Sequence, residues 1–152
     1  MEPKIRLATP ADLAAAQTIV QQAYAPYIAR IGRKPAPMND DYARLISDEK
    51  LYVADCNGTV KGLLVLVSCD DALLLDNVAV SPTARGTGIG RAMMVFAERM
   101  ALNRAYHSIK LYTNAAMDEN ISLYTRIGYV ETHRAEEMGL QRVYMRKLLA
   151  AP

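Results

Sequence analysis

The segment from Leu73 to Met94, LLLDNVAVSPTARGTGIGRAMM, constrains the fold of this chain more than any other. An apolar run stops at Ser81-Pro82, and a loop with three glycines leads directly into a segment whose apolar residues have helical spacing. Because glycine has no Cβ, the backbone N–H groups of such a loop can approach an anion at the positive end of the following helix. The pattern predicts a strand, an anion-binding turn and a helix, in that order.

The spacing of these glycines excludes two common nucleotide-binding loops. The dinucleotide fingerprint would place glycine where Arg91 stands, and a P-loop would end in Gly-Lys-Ser or Gly-Lys-Thr. Arg85 and Arg91 add positive charge on either side of the loop. A glycine-rich turn selected only for its tight geometry is the alternative that this loop alone leaves open.

A second motif lies downstream, in the sequence NAAMDENISLYTRIGY from Asn114 to Tyr129. Asp118 is predicted to cap a short helix, and Gly128 suits the left-handed residue that follows a last helical turn. Taken alone, Tyr124 is better explained as a half-buried core tyrosine with a satisfied hydroxyl.

Together the two motifs resemble those of the GNAT superfamily of N-acetyltransferases. The pattern from Arg85 to Gly90 is similar to the family's loop for the pyrophosphate of acetyl-CoA, and Leu123-Tyr124 before Gly128-Tyr129 is similar to its second signature. The resemblance covers nearly the whole chain and implies an α/β (α+β) fold, with a mixed central sheet of about six to seven strands flanked by about four helices. Met117 and Asn120 depart from the family pattern, in which many relatives carry Asn and Ala.

The resemblance implies that acetyl-CoA is the co-substrate and that its acetyl group passes directly to a primary amine. Tyr124 is then expected to be the general acid, since a neutral tyrosine at pH 7 can protonate the departing thiolate. Asp76 is the candidate base, because alternation along the strand places it on the same face as Val78 and Val80. A solvated or hydrogen-bonded Asp without a catalytic role is the alternative.

The residues that this resemblance assigns to acetyl-CoA come from the strand, the loop and the second motif. They are Val78, Ala79, Val80, Arg85, Gly86, Thr87, Gly88, Ile89, Gly90, Arg91, Asn114, Asn120 and Tyr124.

Candidate acceptor-binding residues lie in the N-terminal half, around the proline-containing loop GRKPAPMN. Tyr24, Tyr27, Arg33 and Tyr42 form a mixture suited to a polar acceptor, including a carboxylated one. A solvated basic loop over a tyrosine-edged core would give the same pattern. The acceptor class stays open at this point, between a small molecule and a peptide or protein.

Hydrophobic periodicity predicts further elements. Strands are expected over residues 4–8, 51–55, 60–68, 73–80, 108–113, 129–136 and 142–149, and helices over about 10–28, 40–46, 88–103 and 118–127. The first three strands after residue 50 are expected to form an antiparallel meander, with Asn57-Gly58 as a hairpin turn.

Composition is that of a globular domain, and the 152 residues are expected to form a single domain over 1–152. A net charge of +2 without a basic run gives no support to a nucleic acid partner. The N-terminal sequence lacks a signal-peptide core and no segment has the apolar length of a membrane helix, so we expect no membrane partner and a cytoplasmic location.

The sequence offers no metal-ligand pattern. Cys56 and Cys69 do not have CxxC spacing, and His107 and His133 are isolated, so no metal is expected.

Two alternative functions and the oligomeric state stay open at this stage. A non-catalytic acyl-CoA sensor with the same fold, and a nucleotide-phosphate binder unrelated to CoA, are alternatives to the enzyme. The C-terminal strand and the methionine-rich composition are compatible with a homodimer, although methionine also fills gaps in cores.

Overall fold

The computed structural model describes residues 2–150 and contains one mixed seven-stranded sheet. Its strand order is β1-β2-β3-β4-β5-β7-β6, and only the β4–β5 pair is parallel. The strands are β1 (Lys4–Leu7), β2 (Leu51–Cys56), β3 (Thr59–Ser68), β4 (Leu73–Val80), β5 (Ser108–Asn114), β6 (Val130–Glu137) and β7 (Leu140–Leu148). The predicted α/β class with a mixed sheet is confirmed.

Helices cover both faces of this sheet. In the described part of the chain they are α1 (Leu13–Tyr24), α2 (Ile28–Ile31), α3 (Tyr42–Ser47), α4 (Ile89–Asn103) and α5 (Asp118–Arg126), with short 3-10 turns at Pro10–Asp12, Ala25–Tyr27, Ala36–Asn39 and Pro82–Ala84. The helix predicted from residue 40 begins at Tyr42, because the Asp41 side chain accepts a hydrogen bond from the Arg44 backbone N–H at 3.1 Å and so caps it. Asp118 is the first residue of α5 rather than its cap, since Met117 precedes the helix.

The sheet separates two apolar clusters. Leu64, Leu66 and Leu73 pack with Met93 of α4 and with Tyr129 on one face. The opposite face carries a second cluster in which α1 and α3 cover β2 and β3, with the buried residues Ile19, Val20, Tyr42, Ile46, Leu51, Leu63 and Val65. Because β2, β3 and β4 contribute to both clusters, the middle of the sheet is buried on both sides, as expected for strands with near-continuous apolar runs.

Two irregularities in β4 shape the middle of the sheet. The parallel ladder joins Leu73–Leu75 to Ile109–Leu111, whereas β4 continues to Val80 and β5 to Asn114, so the two strands diverge beyond these pairs. At the same point the register of β4 against β3 shifts between Leu75 and Asn77, which makes Asp76 the extra residue of a β-bulge. The divergence leaves the backbone of residues 76–80 open on the side that faces β5.

Candidate active site

Two cavities lie where β4 and β5 diverge. The larger has a volume of about 910 Å³ and runs along β4, α4 and α5. The smaller has a volume of about 60 Å³ and lies between the segment 35–37 and strands β5 and β7. Tyr24, Val78, Asn120 and Tyr124 line both cavities. The two spaces therefore meet at this small group of residues.

The glycine loop borders the larger cavity. Gly86 and Gly88 have φ of +78° and +88°, and a Cβ built on either would meet nothing within 4 Å. Thr87 holds the loop, because its hydroxyl donates to the Ala84 carbonyl at 2.5 Å. Left-handed backbone is what glycine permits, and the open space leaves the loop backbone accessible to an anion.

Several residues predicted to bind the cofactor line this larger cavity: Val78, Ala79, Val80, Arg85, Gly90, Arg91, Asn120 and Tyr124. The side chain of Ile89 instead packs in the core, so only its backbone can face the loop. Asn114 lines the smaller cavity, where its side-chain oxygen accepts a hydrogen bond from the Ala116 N–H at 2.9 Å.

The larger cavity combines positive charge, open backbone and an apolar wall. Arg85 and Arg91 supply positive charge beside the loop, and the open β4 backbone offers hydrogen-bonding groups to an extended ligand. The apolar wall comes from Met94, Val95, Leu123 and Ile127, of which Met94 and Val95 were not singled out in the sequence.

Tyr124 lies at the junction of the two cavities. It is only 8% exposed, and its ring meets that of Tyr129 edge-on with the centroids 6.0 Å apart. Burial raises the pKa of Tyr124 to about 12, with a smaller contribution from Tyr27. The hydroxyl is therefore protonated at neutral pH, which is the state that a proton donor needs.

The Asp76 side chain lies on the face of the sheet opposite to the predicted face. Val78 packs against the α4 cluster, whereas the Asp76 carboxylate accepts a hydrogen bond from the Tyr112 hydroxyl at 2.6 Å and lines the smaller cavity. The expectation that Asp76 shares a face with Val78 and Val80 is wrong, because the bulge at Asp76 interrupts the alternation. Burial raises the pKa of Tyr112, and the hydrogen bond to Asp76 is the second largest cause. The tyrosine therefore keeps its proton and donates it in a hydrogen bond to the carboxylate.

Two of the predicted acceptor tyrosines are joined by a buried hydrogen-bond network. The Tyr24 hydroxyl donates to Asn77 Oδ1 at 2.5 Å, and Asn77 Nδ2 donates to the Tyr42 hydroxyl at 3.0 Å. The Tyr42 hydroxyl in turn donates to the Pro37 carbonyl at 2.5 Å. Asn77 is only 4% exposed, so the network ties the segment 35–37 to β4 and fixes one wall of the smaller cavity.

The other two predicted acceptor residues lie elsewhere. Tyr27 lines the larger cavity and donates to Glu119 at 3.3 Å. Arg33 lies against the β6–β7 turn, where its Nη1 is 2.6 Å from the position that a Cβ on Gly139 would occupy. Tyr24, Tyr27, Arg33 and Tyr42 therefore do not form one cluster.

The smaller cavity contains polar groups that sequence reasoning missed. Its wall includes Tyr112 and Arg142, whose guanidinium lies over the Tyr112 ring, 4.2 Å from the centroid. Asp40 lies nearby, and its pKa is raised to about 6 by partial burial and by the charge of Asp76. No local pattern could have found Tyr112 and Arg142 as a pair, because the pairing of β5 with β7 brings them together.

A model of the acetyltransferase (GNAT) domain matches residues 47–131, which is more than half of the chain. The chain belongs to the GNAT acetyltransferase family. The resemblance seen in the two motifs is confirmed, as is the predicted acyltransferase class.

Solved structures with the GNAT fold superpose over almost the full length of this acetyltransferase. The ribosomal-protein-S18-alanine N-acetyltransferase from Escherichia coli has a TM-score of 0.77 at 21% identity, covering 99% of this chain and 96% of that chain. The PaiA N-acetyltransferase from Thermoplasma acidophilum, in complex with coenzyme A, has a TM-score of 0.76 at 16% identity, covering 97% and 99%. At these identities the likeness concerns the fold.

Curated relatives match a shorter part of this GNAT chain. A mycothiol acetyltransferase from Arthrobacter sp. (strain FB24) is 36% identical over 52 residues, which are 34% of this chain and 16% of that protein. The match thus spans about one sixth of the relative's length.

Within residues 2–150 of this acetyltransferase, no helix is long and apolar enough to span a membrane. The same residues contain no group of three or more His, Cys, Asp or Glu side chains that could hold a metal ion.

Proposed function

We propose that this protein transfers the acetyl group of acetyl-CoA directly to a primary amine of a small molecule or peptide. The observation that carries the proposal is the meeting of the two cavities at Tyr124. Direct transfer requires the donor and the acceptor to meet in one place, and holding two reactants together removes much of the entropic barrier.

The larger cavity is the proposed site of acetyl-CoA, which supplies an activated thioester. Arg85, Arg91 and the backbone of the glycine loop would hold its phosphates, and the open backbone of β4 would hold its arm. The volume of about 910 Å³ and the left-handed loop glycines support this assignment.

Asp76 is the proposed base and Tyr124 the proposed acid. A free alkyl ammonium has a pKa of about 10.4, so it must lose a proton before it can attack. Asp76 takes this proton, the amine nitrogen bonds to the thioester carbonyl carbon, and the carbon–sulfur bond breaks as Tyr124 protonates the departing sulfur. The nitrogen then loses its second proton to the Tyr124 oxygen, which gives the neutral amide and restores the tyrosine hydroxyl. The hydrogen bond from Tyr112 holds the Asp76 carboxylate toward the smaller cavity.

CoA release from acetyl-CoA, measured across amino acids, polyamines, aminoglycosides and peptides, tests the proposal. Tyr124→Phe should lower kcat by about 10²-fold or more without weakening acetyl-CoA binding, because only the proton donor is removed. Arg85→Ala should instead raise the KM for acetyl-CoA. Tyr106→Phe is the matched control, since its hydroxyl donates to the Cys69 carbonyl outside the two cavities.

Saturable acetyl-CoA binding without CoA release from any amine would contradict the transferase and support a non-catalytic sensor. The single domain over 1–152, the cytoplasmic location and the homodimer also stay predictions, and light scattering of the purified protein checks the last of them.

A further inference from the structure

A negative side chain, Asp76, and a positive one, Arg142, both contact Tyr112 at the wall of the smaller cavity. The Tyr112 hydroxyl donates to Asp76 at 2.6 Å, and the Arg142 guanidinium lies 4.2 Å from the centroid of the same ring. Asp76 and Arg142 both line the cavity. One negative and one positive group thus border the same small space.

Arg142 is held in place but keeps free donors. Its Nη1 donates to Glu137 Oε2 at 2.9 Å, and Glu137 also accepts a hydrogen bond from the Tyr144 hydroxyl. The side chain is only 14% exposed. Since a guanidinium has five N–H donors in a planar fork, it can bind a carboxylate in addition to Glu137.

The size of the cavity limits the ligand. A volume of about 60 Å³ accommodates roughly four to six water-sized groups, at about 10–15 Å³ each. An ammonium at Asp76 and a carboxylate at Arg142 fit this space together when they belong to one compact group. The head of an α-amino acid, with five non-hydrogen atoms, has both charges and this size.

We infer that the acceptor is a free α-amino acid, with its amine at Asp76 and its carboxylate at Arg142. This inference rests on the proposed acetyl transfer and names its substrate class. The apolar residues Pro35, Pro37 and Leu140, which also line the cavity, are suited to contact the amino acid side chain.

Paired acceptors that differ only in the carboxylate test the inference. We would measure kcat/KM for alanine, leucine and methionine and for their C-terminal amides. The wild type should prefer the free acids by about tenfold or more, the effect expected for a charge-assisted hydrogen bond. Arg142→Gln should abolish this preference by raising the KM for the free acids, and Arg142→Lys should restore part of it.

Arg146→Gln is the matched control. Arg146 lies on the same strand, but it bonds Asp71 at 2.5 Å and Ser108 at 2.9 Å and lines neither cavity. This variant should keep the preference for free acids, so a general effect of losing an arginine from β7 would be recognised.

Equal use of amides or peptide N-termini by the wild type would overturn the inference while leaving acetyl transfer intact. A preference abolished by Arg33→Gln but not by Arg142→Gln would also overturn it, by moving the carboxylate site to the loop. If no amine releases CoA, calorimetric titration of the same amino acids into the CoA-saturated protein tests whether the binding site exists. Binding that needs both the carboxylate and Arg142 supports the site, and its absence overturns it.

Discussion

Replacing Tyr129 by phenylalanine should stabilise this protein. The side chain is only 1% exposed. Among the described residues 2–150, its hydroxyl is the one buried side-chain polar atom that has no hydrogen-bond partner. An unsatisfied buried polar group costs about 1–3 kcal/mol. Since Tyr129→Phe removes the hydroxyl and keeps the ring contacts, the free energy of unfolding should rise by about 1–2 kcal/mol. For a chain of this size, each kcal/mol raises Tm by about 2–4 °C.

Urea unfolding at equilibrium measures this gain, provided that the m-value is unchanged. Tyr106→Phe is the same substitution at a satisfied hydroxyl, which donates to the Cys69 carbonyl at 2.5 Å. It should lower the free energy of unfolding by about 0.5–1.5 kcal/mol. A Tyr129→Phe protein no more stable than the wild type would refute the reasoning and indicate that an internal water pairs with the hydroxyl.

Further predictions concern the loop, the core and the acidic group. Gly88 and Gly58 share a φ of +88° and open space around a Cβ, so alanine at either should cost about 1–2 kcal/mol of stability. Only Gly88→Ala should also weaken acetyl-CoA binding measured by calorimetry. Alanine at Gly62 would bring a Cβ to 2.9 Å from a side chain and 3.2 Å from a backbone oxygen, and urea unfolding should show a loss of about 1–3 kcal/mol. Because the folded-state pKa of Asp40 is raised to about 6, its ionisation costs stability as pH rises toward 6. Asp40→Asn should therefore gain Tm relative to wild type as pH rises from 4 to 6.

The parts of the fold that depend on residues adjacent in the sequence could be predicted. Strand β4 begins and ends at Leu73 and Val80 as expected, because an apolar run and a Ser-Pro stop define it locally. The Asn57-Gly58 turn has φ of +53° and +88°, which is the left-handed pair that this dipeptide favours. Gly128 likewise has a φ of +106° after α5.

The direction of the Asp76 side chain could not be predicted in the same way. Alternation assumes that each residue advances the register by one, and the bulge against β3 adds a residue that the sequence of β4 does not reveal. Arg142 was missed for a related reason. Its position over Tyr112 follows from the pairing of Asn114 with Arg142 and of Tyr112 with Tyr144, which joins segments about thirty residues apart.

This contrast between local and long-range features explains why the family can be recognised from the sequence, whereas the acceptor cannot. An anion held by backbone N–H groups requires glycine at fixed positions of one loop, so the proposed phosphate-binding loop is a contiguous pattern between Arg85 and Gly90. The smaller cavity is built from side chains of the 35–37 segment, β4, β5 and β7, whose order along the chain carries no local signal. Under the proposed assignment, changes at those scattered positions alter acceptor binding while the loop stays the same. We therefore expect substitutions at Arg142 and Asp76 to change acceptor use, and substitutions in the loop to change acetyl-CoA binding.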